Sequence, residues 1–171
     1  THLLALLPAL LLTTIAIGQD EVGSVVRKQV AHGVFFQFMP RSVNRSSKLL
    51  VICHGSFPSS GSAASASSTC FIDWKRFAQS ERVIVVAPAF DNKNYAASSA
   101  GALGGYRSLV GRQVGANEFL HEIIAVYEKL NPQFDGRFFL FGDGAGGQFA
   151  NRYIVRHPER VIGALISSPA W

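Results

Sequence analysis

The stretch FFLFGDGAGGQFANRY, Phe138 to Tyr153, reads as an apolar strand, a glycine-dense turn and a helix. That layout serves two kinds of chemistry: a nucleophile presented at the apex of a sharp turn, or a phosphate held on the N–H groups at a helix start. The residue at the centre of the turn is Gly144, which has no side chain to react. As GxGxxG, the turn is Gly142, Gly144 and Gly147, in form a dinucleotide loop. That reading needs an acid about 20 positions on, at the end of the next strand, to bind a ribose. VIGALISSPAW ends in serines instead, and several strands precede a turn that ordinarily follows the first. As an elbow, the pattern small, x, nucleophile, x, small, small falls on Gly142, Asp143, Gly144, Ala145, Gly146 and Gly147.

The elements that must position this turn alternate between strand and helix. Val25–Val30 and Val34–Phe38, separated by His32 and Gly33, read as a hairpin. RSVNRSSK is a polar loop. LLVIC (Leu49–Cys53) and VIVVA (Val83–Ala87) are continuous apolar runs, the kind that parallel strands covered on both faces require, and belong at the centre of a sheet. Between them, a Ser- and Ala-rich loop over Ser59–Ser68 precedes a helix with Phe71, Ile72, Trp74, Phe77 and Ala78 at helical spacing. Gly115–Leu130 is a second helix, stopped by Asn131 and Pro132. RFFLFG is the next strand, Gln148–His157 the next helix and VIGALIS the last strand. The result is an open, mostly parallel α/β sheet with the early hairpin as its antiparallel edge. The segment from Phe90 to Arg112 is too long for a plain connection and is expected to cover a site at the carboxyl ends of the strands.

Composition sets the outer bounds. The 171 residues suit one domain, and 48% hydrophobic content supplies a core. A net charge of +5 arises from 16 basic and 11 acidic side chains scattered along the chain, with no like-charge run that would mark a nucleic-acid or membrane patch. The opening THLLALLPALLLTTIAIGQDE carries an apolar run from Leu3 to Ile17, then small residues, then charge. This matches a secretory signal cleaved after Gly18 and a secreted or periplasmic product, or a membrane anchor if cleavage fails. The run is short for a spanning helix and contains Pro8. Export would put Cys53 and Cys70 in an oxidising compartment, where a bridge and two buried free thiols are both open.

GDGAGGQFANRYIVRHPERVIGALISSPAW resembles the elbow, following helix and next strand of secreted α/β-hydrolases of the esterase and polyhydroxybutyrate-depolymerase-like kind. LLVICHGSFPSSG resembles their first core strand with its HG oxyanion turn. The resemblance covers Val25 to Trp171. It implies a three-layer sheet fold and acyl transfer without cofactor or metal, on a small or polymeric ester. It also implies that residues 19–171 form a partial domain, cut after the strand that follows the elbow, with a sheet edge left free for association. In such enzymes a serine attacks the ester carbonyl, a histidine takes its proton, an acid orients that histidine, and backbone N–H groups hold the oxyanion.

Carried over by position, the nucleophile site is Gly144, and the oxyanion donors are Ala145 and either Ser56 or Phe57. His54 and Gly55 shape the oxyanion loop. Asp143 stands one place out of register for a nucleophile. None of His2, His32, His54, His121 and His157 occupies the family's late base position, and no acid matches the one that would orient it. Three functions follow: an ester hydrolase disabled as written, a non-catalytic ligand or polymer binder using the same cleft, and a dinucleotide-binding module.

Overall fold

A computed structural model describes residues 22–44, 46–57, 61–96 and 104–169. The apolar leader, residues 1–18, lies outside them. Six strands form one sheet: β1 (Val25–Val30), β2 (Gly33–Phe38), β3 (Leu49–Cys53), β4 (Ile84–Pro88), β5 (Phe138–Asp143) and β6 (Val161–Ser167). Their spatial order is β1-β2-β4-β3-β5-β6. The β1–β2 hairpin is antiparallel and joins β4 antiparallel, whereas β4–β3, β3–β5 and β5–β6 are parallel. The expected α/β sheet with an antiparallel hairpin at its edge is therefore the observed one.

Both central strands are apolar on both faces because both faces are covered. One face carries Leu49, Val51, Val86, Phe138 and Leu140 against α4 (Ala116–Leu130) and α5 (Ala145–Arg156). On the other face Leu50, Ile52, Val85 and Ala87 pack with Phe71 and Ala78 of α2 (Phe71–Glu81). These are the three layers. In α4, Phe119, Leu120, Ile123, Ile124 and Tyr127 recur at helical spacing and are all buried, so its single apolar stripe fixes its orientation.

The structure corrects four expectations. The Ser- and Ala-rich segment is not all loop: α1 (Ala63–Thr69) forms within it, capped by the Ser62 hydroxyl, which accepts from Ser65 N at 3.1 Å. Buried Ser67 donates to the Pro88 carbonyl at 2.8 Å and ties this short helix to β4. On α2, Ile72 and Phe77 do not face the core; they are 74% and 44% exposed. The helix after the glycine turn starts at Ala145, three residues before Gln148, because the turn itself supplies its first residues. The segment after Phe90 contains a four-residue helix α3 (Asn92–Tyr95) and a 3₁₀ turn (Gly105–Ser108), with residues 97–103 outside the described set.

Phe90 joins this covering segment to the body of the fold. It is fully buried, stacks on Tyr106 with ring centroids 4.7 Å apart, and meets Tyr95, Phe119 and Phe149 edge-on or tilted. Among the described residues, no helix is long and apolar enough to cross a membrane. Phe90→Ala should lower the unfolding free energy by about 3–5 kcal/mol, measured by urea denaturation, because a fully buried ring and its contacts with four aromatic neighbours are lost.

Candidate functional site

The site is built where the ends of β3 and β5 come side by side. The two strands pair in register up to Cys53 and Gly142, so the residues that follow, His54–Gly55 and Asp143–Gly144, emerge together at the carboxyl edge of the sheet. The chain then reverses from β5 into α5 with Gly144 at φ 54° and ψ −114°. Gly144 N donates to the Ser167 carbonyl at 3.0 Å, pinning the apex to the end of β6.

The glycines of this turn are not equivalent. A methyl group on Gly146 would overlap the Cys53 carbonyl, and one on Gly142 would overlap the Gly146 carbonyl. On Gly147 it would stand 2.8 Å from the Ser167 oxygen. These three are glycine because backbone passes against backbone. Gly144 differs: its nearest neighbour would be the Gly55 Cα at 3.9 Å, so a side chain there points into open space beside the HG turn. That is the position a nucleophile would occupy. Asp143 is exposed, and its backbone oxygen lies 3.3 Å from where a Gly55 Cβ would be, on the flank of the apex.

His54 is buried and uses both ring nitrogens. Nδ1 lies 2.8 Å from the Gly55 carbonyl and donates to it, while Nε2 accepts from Phe90 N at 3.2 Å. This network assigns the neutral Nδ1–H tautomer. Burial holds the pKa of His54 below its usual 6.5, and the Gly55 bond opposes that shift. With its basic lone pair committed to a backbone N–H, His54 shapes the loop and is not free to accept a proton from a reacting group. The Tyr106 hydroxyl donates to the His54 carbonyl at 3.3 Å.

Ser56 is exposed and Phe57 half-buried with its ring 5.6 Å from that of His54. Ala145 opens α5, so its N–H has no intrahelical acceptor. Ser56 and Phe57 line a cleft of about 120 Å³ with Asn92, Tyr95, Tyr106 and Arg107. Of the Phe90–Arg112 segment, expected to cover a site, the described residues Asn92, Tyr95, Tyr106 and Arg107 line this cleft; Tyr106 and Arg107 themselves were not singled out from sequence. Arg152 of α5 donates from Nη1 to the Arg107 carbonyl at 3.0 Å, which fastens the cover to the elbow helix. A larger groove of about 360 Å³ lies between α2 and the β5–β6 face, lined by Leu50, Trp74, Phe77, Phe139, Phe141 and Leu165. It is lined by no reactive side chain.

The other described histidines serve elsewhere. His32 pairs through Nδ1 with Glu122, His121 Nε2 lies 2.9 Å from the Tyr153 hydroxyl, and Asn117 donates to His157 Nε2 at 3.2 Å. Cys53 and Cys70 are free thiols. Burial raises both, Cys70 to about 11, so neither is a reactive thiolate near neutrality. Among the described residues, no group of three or more His, Cys, Asp or Glu is placed to hold a metal ion.

No known protein family and no curated protein matches the chain. Solved structures do. A poly(aspartic acid) hydrolase from Sphingomonas sp. KT-1 superposes with TM-score 0.63 at 16% identity, over 86% of this chain and 56% of its own. A poly(3-hydroxybutyrate) depolymerase from Bordetella parapertussis gives 0.58 at 19%, over 87% and 54%, and an acetyl xylan esterase from Aspergillus awamori 0.60 at 13%, over 83% and 50%. The fold is that of the α/β-hydrolases. The chain spans about half the length of the hydrolase structures it matches.

Two measurements check the geometry of this glycine turn. Gly146→Ala should destabilise the protein far more than Gly163→Ala, whose Cβ would meet only the Phe139 ring at 3.5 Å; equal melting temperatures would exclude the packed turn. Stability should also fall as pH drops below 6.5, since the unfolded chain then binds a proton that buried neutral His54 refuses, until the lower folded-state value is passed. His121, also lowered by burial and by facing His157, adds to the same slope. His54→Gln should be less stable at pH 7.5 and show a shallower decline to pH 5 in urea titrations.

Proposed function

We propose that the chain is an ester-binding protein of the α/β-hydrolase fold that does not turn its ligand over. The observation that carries this is Gly144: it stands at the apex of a strand-to-helix turn, with open space where a side-chain oxygen would be and the HG turn beside it. The Ala145 N–H and those of Ser56 or Phe57 are the donors suited to an ester carbonyl oxygen, with Tyr106 and Arg107 walling the cleft. Gly55 lets the two turns approach, and His54 holds the loop. Esterases and polymer hydrolases share the fold, which favours an ester, small or polymeric, as the ligand. Among the described residues, position 144 offers no hydroxyl and each histidine is already engaged, so none supplies a free base beside the turn. No cofactor or metal is invoked.

The dinucleotide alternative has less behind it. β6 ends at Ser167 and is followed by Ser168, which leaves no carboxylate where a ribose would sit. We further propose export, with residues 1–18 removed as a signal; the free amino terminus of secreted material would then be Gln19.

The purified chain should show no hydrolysis of p-nitrophenyl acetate or butyrate above the buffer rate, and no labelling by a fluorophosphonate probe. Turnover or labelling at any elbow residue would overturn the assignment. Gly144→Ser alone should also remain inactive, because a serine hydroxyl without a positioned base forgoes about a hundred- to ten-thousandfold of rate. Calorimetry with the same esters should show binding that Tyr106→Ala weakens. Esters that fail to bind the folded parent chain would sink the ester-binding reading.

A further inference from the structure

Helix α3 separates two clefts. On one side is the 120 Å³ cleft of the oxyanion turn. On the other is a polar cleft of about 340 Å³ between the β1–β2 turn, α3 and the strand of chain after Val110, lined by Gln29, His32, Lys93, Asn94, Arg112 and Gln113. Asn92 lines the first cleft, and Lys93 and Asn94 line the second. A ligand lying over this one helical turn reaches both.

The second cleft is rich in donors and contains no carboxylate. Arg112 N donates to the Asn94 carbonyl at 2.7 Å, which fixes the Arg112 backbone beside α3 and brings its guanidinium to the cleft that Lys93 also lines. Neither Lys93 nor Arg112 makes an ion pair among the described residues. The acids that surround Tyr95 beneath the cleft are already engaged: Asp91 accepts from Asn94 N at 2.9 Å and from its Nδ2, Glu122 from His32 N at 3.1 Å and its ring, and Glu118 from Asn117 at 3.1 Å. Lys93 and Arg112, flanked by side-chain amides and set in a concave surface, are therefore exposed and paired with none of these acids.

We propose that this cleft binds a carboxylate carried by the ligand of the neighbouring oxyanion cleft, so that the protein selects acidic esters or acidic polymers over neutral ones. An arginine fork, an ammonium and amide N–H donors suit a planar carboxylate. No backbone nest or long helix start, the devices that usually hold phosphate, contributes here. The proposal rests on the ester-binding reading for the identity of the adjoining cleft.

The test is calorimetry on the full chain with short polyacrylate as the acidic probe and polyacrylamide of equal length as the neutral one. Lys93→Gln/Arg112→Gln removes the two cations. Lys75→Gln/Arg76→Gln removes two exposed cations from α2, on the opposite face of the sheet, and controls for net charge. Polyacrylate should bind and polyacrylamide should not. The Lys93/Arg112 variant should lose about tenfold or more in affinity, while the α2 variant, matched in charge, stays within about twofold. Equal losses in both variants, no binding of polyacrylate, equal binding of the neutral polymer, or displacement by inorganic phosphate at concentrations where acetate fails would each overturn it. If neutral esters do not bind but polyacrylate still depends on Lys93 and Arg112, the carboxylate site stands and the ester reading alone falls.

Discussion

The contact on which the rest of this molecule depends is backbone against backbone: the first turn of α5 lies on the end of β3, with Gly146 directly over the Cys53 and His54 carbonyls. No side chain fits between them. That approach brings the β5–α5 turn and the HG turn to one place, and it is possible only because β3 and β5 are adjacent, parallel and in register up to Cys53 and Gly142. The three crowded glycines, the continuous apolar character of β3 and the position of α5 on the sheet are consequences of one steric requirement. A fold can satisfy that requirement whether or not its apex residue performs chemistry.

Around this contact the covering segment is held by bonds of long sequence separation. Phe90 N to His54, Tyr106 to the His54 carbonyl and Arg152 to the Arg107 carbonyl together form a closed frame around the small cleft. His54 is the joint of that frame: three aromatic rings, Phe57, Phe90 and Tyr106, pack on it, and both nitrogens bond to main chain. An imidazole so placed works as a structural amide would. Its conversion to a cation would cost a hydrogen bond and bury a charge together.

What could be read in the sequence was what a local pattern dictates. LLVIC and VIVVA announce doubly covered strands because alternation is absent, α4 announces itself by the spacing from Phe119 to Tyr127, and GDGAGG marks a turn that only crowding explains. The misses share a cause. Helix α1 is made of AASASST, whose serines compete for their own backbone, and it is secured by the Ser67–Pro88 bond across 21 residues. Ile72 and Phe77 lie at helical spacing, yet α2 buries chiefly Phe71 and Ala78, because a helix on an outer layer presents only one stripe to the sheet. At the site, position 144 and the HG loop were legible from short motifs. Tyr106, Arg107 and Arg112 were not, since their roles arise from where a long connection comes to rest.

One further consequence concerns the apex itself. At φ 54° and ψ −114° an L-amino acid is strained by about 1–3 kcal/mol, whereas glycine is not. A serine introduced at position 144 would carry that strain, whereas the glycine present does not. Any side chain placed at this apex must therefore first be tolerated as a destabilising change before it can be useful.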